Sequence, residues 1–283
     1  MGGVVRRRYA RARRFAEKML WACGIDEPSK IDPMILVQRC KIAVAIGRLE
    51  GASARIFRDG ERAIIRVSDH VWEFGLRRFT IAHEVGHFLL GHRIPAIVEV
   101  PGESCRGYDL HQEFEADVFA TEFLLPEAWV APYCSGRINL DAVHEIMTRF
   151  RATQLESALR FVELTETACA VVYSKHGRVV WTVRSRSFPH EIPEQLQIGR
   201  GSVASEYFER NTIDSMPRLV PASAWLAPPL ATEVRSLIEQ AEMMSAPARE
   251  GVLSLLATDD AVTDPGDVTA GLVDDPLVGA GKD

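Results

Sequence analysis

The sequence predicts an α+β fold in which a mostly helical first part is followed by a smaller unit with more strand. Three observations support this prediction. Apolar residues recur at helical spacing over much of residues 6–164, three short runs with strand character lie between residues 43 and 67, and two alternating runs follow residue 166. We therefore expect a small antiparallel sheet within the first part and a mixed α/β second part.

The composition is that of an ordinary globular protein, with 47% hydrophobic and 25% charged residues among 283. The net charge of −6 equals that of residues 259–283 alone, which hold seven Asp and one Lys. This tail has few large apolar side chains and is expected to be disordered. No apolar run approaches the ~18 residues that a membrane helix needs, and no signal peptide is evident, so we expect a cytoplasmic protein.

The five cysteines are odd in number, and none of them is part of a C-x-x-C pair. This pattern argues against a disulfide framework and against a cysteine zinc knuckle. Reduced thiols are the expected state.

The first 70 residues are expected to contain two helices and three strands. Residues 6–23 have helical periodicity and precede Gly24, which can end a helix, and residues 33–41 form the second helix. The expected strands lie at residues 43–47, 53–57 and 63–67.

A long helical region is predicted at residues 72–92, with a break near residues 77–80. Thr80 is then expected to cap the second half of this region. After a loop at residues 94–110, another helix spans residues 112–125 and stops at Pro126.

Two amphipathic helices, at residues 140–150 and 154–164, are predicted to form a helix-turn-helix-like hairpin. Thr153 and Glu156 have the spacing of a capping box for the second helix. That helix offers only Arg160 as a basic side chain, so we expect the hairpin to be a packing unit more than a DNA reader.

The remaining chain is predicted to be mixed. Residues 167–174 and 178–184 read as paired strands around His176-Gly177, residues 251–256 as another strand, and residues 230–244 as a helix. These features divide the chain into residues 1–130, a hairpin at 131–165, a C-terminal unit at 166–257 and the tail at 258–283.

A candidate metal site lies in the long helical region, where residues 83–87 read H-E-x-x-H within an apolar stretch. Residues four apart on a helix project from one face, so His83 and His87 can bind one ion. Glu84 then lies beside a metal-bound water and can act as a general base. Histidine and glutamate in an apolar stretch would be costly without partners, which favours a functional site.

The third ligand is expected to be Glu113. The metzincin pattern would need Gly at position 90 and His at 93, where this chain has Leu90 and Arg93. Glu113 and Asp117 share one face of the next helix, so Glu113 can bind the metal while Asp117 accepts the free ring N–H of a ligand histidine. The weaker rivals for the third ligand are Glu115, His111, Cys105 and His92. We expect His92 to be a cation at the helix end.

Residues 15–165 resemble the ImmA/IrrE family of metallo-endopeptidases. The resemblance rests on R-F-T-I-A-H-E-V-G-H at residues 78–87, E-x-x-A-D-x-F-A at 113–120 and L-L-P at 124–126. It implies a minimal gluzincin-like domain with His83, His87 and Glu113 as zinc ligands and Glu84 as the catalytic residue. Residues 166–257 resemble the GAF-like extension of the radiation-response branch in position and strand content.

The resemblance also implies a substrate, because characterised members cleave helix-turn-helix repressors and so derepress stress or mobile-element genes. Two other readings stay open. The chain could be a DNA-binding regulator with a structural metal, although structural zinc sites usually have four protein ligands and three are found here. It could also be an interaction module of the toxin–antitoxin type. Zn²⁺ is the expected ion, and Mn²⁺ would also fit two histidines and a carboxylate.

Overall fold

The first part of the chain is built mainly from helices. The computed structural model describes residues 9–59, 62–94, 110–136, 138–227, 234–244 and 250–258. In chain order this part contains α1 (Ala10–Ala22), α2 (Pro33–Arg39), β1 (Ile42–Gly47), β2 (Ala54–Asp59), β3 (Arg62–Ser68), α3 (Phe74–Leu90), α4 (Leu110–Leu124) and α5 (Glu127–Val130).

The second part adds a helical hairpin and then a sheet. Its elements are α6 (Leu140–Phe150), α7 (Gln154–Leu164), β4 (Cys169–Lys175), β5 (Arg178–Arg184), α8 (Val203–Arg210), β6 (Arg218–Pro221), β7 (Ser236–Met244) and β8 (Gly251–Thr258). The predicted α+β class is confirmed. The expectations for the tail at 259–283 and for the loop at 95–109 concern residues outside the described ranges.

Local sequence signals explain several helix ends. Asp32 accepts a hydrogen bond from the backbone N–H of Met34 at the start of α2, where Pro33 takes the first helical position. The predicted capping box at the start of α7 is present, with Thr153 and Glu156 each bonded to the other's backbone N–H. Gly24 follows α1 with φ of +67°, a left-handed conformation that glycine adopts without strain.

The small sheet is mixed, so the prediction of an antiparallel sheet was wrong for one of its two pairings. Its order is β1-β3-β2, with β1 parallel to β3 and β2 antiparallel to β3. β3 lies in the centre because its apolar residues are the most deeply buried of the three strands, with Ile65 and Val67 fully inaccessible. The three short apolar runs in the sequence look alike, so the sequence did not show which strand is central.

α3 runs without interruption from Phe74 to Leu90, so the predicted break near residues 77–80 was wrong. Thr80 is a buried residue inside the helix, and Glu73 occupies the N-cap position. The side chains of Arg77 and Arg78 donate to carbonyl oxygens outside the helix. Arg77 donates to the backbone oxygen of Val71.

The start of α3 is fixed to the helical hairpin. The buried guanidinium of Arg78 donates to the carbonyl oxygens of Phe150 and Arg151 at the end of α6 and to that of Ile31. These carbonyls belong to chain segments that end or precede helices and have no intrahelical partner of their own. The hairpin is therefore part of the framework that holds α3.

The C-terminal sheet is antiparallel in the order β5-β4-β8-β7-β6. Residues 230–244 were expected to be helical, but Ser236–Met244 is the strand β7. Its side chains are buried on both faces over most of its length, which removes the alternation that identifies a half-exposed strand. α8 and β6 were not anticipated from the sequence.

A buried carboxylate anchors α8 to this sheet. Glu239 on β7 accepts hydrogen bonds from the backbone N–H groups of Val203 and Ala204, from the Trp225 indole and from the Ser254 hydroxyl. Burial raises the pKa of Glu239, and these donors oppose the rise. All four donors belong to the C-terminal unit itself, so the Glu239 carboxylate has a structural role.

One hydrophobic cluster runs through both parts of the molecule. It includes Ala12 and Leu20 of α1, Phe161 of α7, and Val171 and Leu255 of the C-terminal sheet. A second cluster packs α8 and Trp225 against the other face of the sheet. Cysteines 23, 40, 134 and 169 are free thiols. Of the helices in the described ranges, none has the length and apolar character to cross a membrane.

Candidate metal centre

The two histidines of the H-E-x-x-H pattern lie one turn apart on the same face of α3. Their Nε2 atoms are 3.0 Å apart. Both rings are mostly buried, with side-chain exposures of 16% for His83 and 11% for His87. The nitrogen atoms thus converge on one point that retains an opening to solvent.

Glu113, in the first turn of α4, completes a three-residue cluster. Its carboxylate oxygens lie 3.4 Å from the Nε2 of His83 and 3.5 Å from the Nε2 of His87. The candidate ligand atoms of the three residues all lie within 4.8 Å of one another. The three residues expected to bind the metal are therefore brought together.

Small residues allow α3 and α4 to lie close enough for this arrangement. A Cβ atom at Gly86 would lie 3.0 Å from the Phe119 ring and 3.4 Å from the backbone of Ala116. Gly86 is the fourth residue of the H-E-x-x-H pattern, and Ala116 follows Glu113 by one turn. The same surfaces that bring the helices together therefore set the position of the third ligand.

The cluster has the dimensions of a tetrahedral zinc site. Ligand atoms ~2.0–2.2 Å from zinc at tetrahedral angles lie about 3.3–3.5 Å from each other. Here the two Nε2 atoms are 3.0 Å apart, and those of His83 and His87 lie 3.4 and 3.5 Å from the two different oxygens of Glu113. Two imidazoles and one carboxylate, with a fourth position open, match the donor set of catalytic zinc sites. His83, His87 and Glu113 fit a zinc ion.

Glu84 is buried beside the cluster and is held by the small sheet. Its Oε2 accepts a hydrogen bond of 2.7 Å from the backbone N–H of Ile56 on β2. Burial raises the pKa of Glu84, while His83 and the Ile56 N–H oppose the rise. A carboxylate with a raised pKa is a better proton acceptor near neutral pH than an exposed one.

Each histidine of the cluster has a partner for its other ring nitrogen. The Nδ1 of His83 lies 2.8 Å from Oδ1 of Asp117, as the spacing of the second helix predicted. The Nδ1 of His87 lies 2.9 Å from the Nδ1 of His92, whose Nε2 lies 3.0 Å from Oε2 of Glu115.

His92, which was expected to be a cation at the helix end, has a buried ring that is bonded to His87 and Glu115. From the sequence, Glu115 was considered only as a rival ligand, and its contact with His92 was not predicted. The overlooked signal is the pair Gly91-His92 directly after the helix, since a left-handed glycine there turns the chain back towards His87. Cys105, another rival, lies outside the described residues.

Charge is distributed unevenly over the cluster. Burial disfavours a charged His83, but hydrogen bonds to Asp117 and Glu113 outweigh it and raise the pKa of His83 to about 10. Burial and the neighbouring His83 lower the pKa of His87 to about 4. The hydrogen bond from His83, against a smaller effect of burial, lowers the pKa of Glu113. The pKa of one histidine of the cluster is thus raised, while those of the other histidine and of Glu113 are lowered.

The second helix of the hairpin, α7, has no exposed basic side chain that could contact DNA. Arg160, the basic residue of α7, is 1% exposed, pairs with Glu122 and Glu163, and donates to the carbonyl oxygen of Leu125. A side chain committed to three internal acceptors cannot contact a base or a phosphate. These contacts agree with the interpretation of the hairpin as a packing unit.

Comparisons with known proteins identify a family and a fold. Residues 32–161 match the peptidase M78 family model, described as the IrrE N-terminal-like domain. The chain also resembles a solved structure described as a Mycobacterium tuberculosis transcriptional regulator, with a TM-score of 0.57 and 15% identity over 92% of this chain and 81% of that one. At that identity the likeness concerns the fold alone. A search of curated proteins finds no match.

Proposed function

The chain belongs to the ImmA/IrrE family of metallopeptidases through residues 32–161, and from this premise we propose that it is a zinc-dependent endopeptidase. One observation carries the proposal beyond the family. His83, His87 and Glu113 converge with the spacing of a zinc site, and Glu84 lies buried next to them without belonging to the ligand set.

The residues divide the work of peptide hydrolysis. His83, His87 and Glu113 would hold the ion, which when bound supplies Lewis-acid chemistry for polarising a carbonyl and activating water. Glu84 accepts a proton from the attacking water and delivers it to the leaving amine. The backbone N–H of Ile56 orients the Glu84 carboxylate through its hydrogen bond to Oε2.

The proposed substrate class is a helix-turn-helix repressor, by resemblance to the family. The DNA-binding alternative has less support, because Arg160 is enclosed by acidic and carbonyl partners.

The test of the catalytic assignment is Glu84→Gln. We expect this variant to retain about one zinc per chain by mass spectrometry and to lose turnover, because the amide cannot accept the proton from water. His83→Ala should lose both zinc and turnover. Cleavage is read by intact-mass analysis of candidate helix-turn-helix repressors co-expressed with each variant. Strong residual cleavage by purified Glu84→Gln would contradict the assignment.

A further inference from the structure

The end of α3 folds back on itself so that His92 lies against His87. Gly91 has φ of +70°, its N–H donates to the carbonyl oxygen of Phe88, and the N–H of His92 donates to that of His87. This pair of bonds is the Schellman arrangement of a helix end. It places the two imidazoles edge to face, with ring centres 4.9 Å apart and planes at 73°.

The hydrogen bonds of His92 fix which of its nitrogens carries a proton. An ionised glutamate only accepts, so the contact of 3.0 Å to Glu115 requires an N–H at Nε2 of His92. The His92 side chain is 4% exposed, and a neutral imidazole carries one proton, which Glu115 holds on Nε2 here. Nδ1 of His92 is then a bare acceptor.

The tautomer of His87 follows from that of His92. Its Nδ1 lies 2.9 Å from the Nδ1 of His92 and must donate, because the His92 nitrogen accepts. A neutral His87 with its proton on Nδ1 has a lone pair on Nε2. That Nε2 is the atom that faces His83 and Glu113.

We propose that Glu115 and His92 act as a positioning pair, which holds His87 in the tautomer that can bind a metal. The inference rests on the proposed function, since it concerns a ligand of the proposed zinc site. α4 then supplies three carboxylates with separate tasks. Glu113 binds the ion, Asp117 orients His83 directly, and Glu115 orients His87 through His92.

A reason for the indirect route lies in the position of His87. It belongs to the last turn of α3, and its Nδ1 contacts a residue beyond the helix end, whereas His83 faces Asp117 across the helix pair. The second imidazole spans the distance from His87 to the carboxylate of Glu115. Loss of either member of the pair should leave His87 free to protonate at Nε2.

The test compares His92→Gln with His92→Phe. Gln offers an amide oxygen to the Nδ1–H of His87 and an NH₂ group to Glu115, whereas Phe keeps the ring volume and offers neither. Zinc affinity is measured by competition with a chelator. We expect a loss of about 10–100-fold for Phe, the range found for partners of ligand histidines, and near wild-type affinity for Gln.

A second readout requires no metal and no substrate. Imidazole ¹⁵N NMR of the metal-free protein should show His87 protonated at Nδ1 in wild type and His92→Gln, and a shift towards Nε2 in His92→Phe. Circular dichroism and thermal melting verify the folding of each variant. If His92→Phe does not fold, Glu115→Ala, at a side chain 22% exposed, should produce the same loss of affinity and the same shift.

The outcomes separate the two proposals. A wild type that binds no zinc would contradict the proposed function, while the NMR comparison would still test the positioning pair. A wild type that binds zinc, with folded His92→Phe and Glu115→Ala variants that match it in affinity and tautomer, would overturn the positioning pair alone.

Discussion

At the metal centre, single hydrogen bonds determine which ring nitrogen is free to bind an ion. His83 donates from Nδ1 to Asp117, which is half exposed and approaches from α4. An ionised carboxylate accepts only, so this contact keeps a proton on Nδ1 when Nε2 of His83 binds an ion. We therefore expect Asp117 to affect zinc binding without contacting the ion.

Asp117→Asn tests this role. The amide can present either its oxygen or its NH₂ group to Nδ1, and it has no charge, so the tautomer of His83 is no longer fixed. We expect zinc affinity to fall about 10–100-fold, measured by chelator competition. The matched control is Asp26→Asn, the same change at a side chain 73% exposed and paired with Lys30. Equal affinity in both variants would contradict the role of Asp117.

The sequence predicted the residues whose positions follow from helical spacing. His83, Glu84 and His87 follow from one pattern, and Glu113 and Asp117 from a second, because residues four apart share a helix face. The contact between His92 and Glu115 could not be obtained this way. It joins a residue beyond the end of α3 to a face of α4 that the spacing placed away from Glu113.

At the scale of elements, contacts at the start of α3 hold the whole helix in place. The two proposed histidine ligands lie in its second half. Arg78 ties it to carbonyl oxygens of the hairpin. Gly75 lies so close to the turn between α6 and α7 that a Cβ atom there would be 2.8 Å from the backbone of Ala152 and Thr153. The hairpin therefore holds the start of the helix that carries two of the proposed metal ligands.

Gly75→Ala should disrupt this contact. The added methyl meets backbone atoms that cannot rotate away, so we expect a loss of about 1–3 kcal/mol in the free energy of unfolding, as for other overpacked sites. Gly47→Ala is the matched control, because a Cβ atom there meets nothing within 4 Å. Its effect should stay within about 0.5 kcal/mol. Urea denaturation measures both, and equal stabilities would refute tight packing at Gly75.

Errors in the predicted elements occur where tertiary burial outweighs local pattern. β7 was predicted to be helical because a strand that is buried on both faces has no alternation of apolar and polar residues. The hairpin helices were predicted with their observed bounds, since both have strong amphipathic periodicity and capping residues in the sequence.

At the scale of the molecule, a cluster of four charged residues joins three helices. Arg13 of α1 pairs with Glu163 of α7 and lies 3.6 Å from Glu122 of α4. Arg160 of α7 pairs with Glu122 at 2.6 Å and with Glu163 at 2.7 Å. Burial would raise the pKa of Glu163, but Arg160 and Arg13 outweigh it, and the pKa is lowered.

This lowered pKa predicts a pH-dependent contribution to stability. The ionised Glu163 stabilises the fold above the unfolded-state pKa of about 4.3, and the contribution is lost as the pH falls through the lower folded-state value. Glu163→Gln should therefore cost about 1–2 kcal/mol at pH 7, less than a fully buried pair. The difference from wild type should shrink below about pH 4.

Urea denaturation over pH 3–7 measures the effect. Glu50→Gln serves as the control, because the Glu50–Arg48 pair is 80% or more exposed on both sides and should contribute little at any pH. A Glu163→Gln variant whose deficit is constant with pH would show that lost packing, not the lost charge, causes the destabilisation.

The C-terminal sheet also packs against the part of the chain that carries the proposed metal centre. α7 packs against β4 and β5, and one hydrophobic cluster includes residues on both sides of that contact. Polar contacts reinforce it, since Gln240 of β7 accepts from the N–H of Leu140, and Glu242 accepts from Gln154. Residues 166–257 therefore cover an apolar face of the hairpin, which in turn holds α3.

Two truncations test this dependence. A chain of residues 1–165 keeps every proposed zinc ligand but exposes the face of α7 that packs on β4, so we expect a lower melting temperature, increased binding of a hydrophobic dye and reduced zinc affinity. Residues 1–258 keep both clusters and should melt within about 2–4 °C of the full chain, the shift that 1 kcal/mol produces at this size. Cooperative melting of residues 1–165 at the full-length temperature would instead show that the first part of the chain folds without support from residues 166–257.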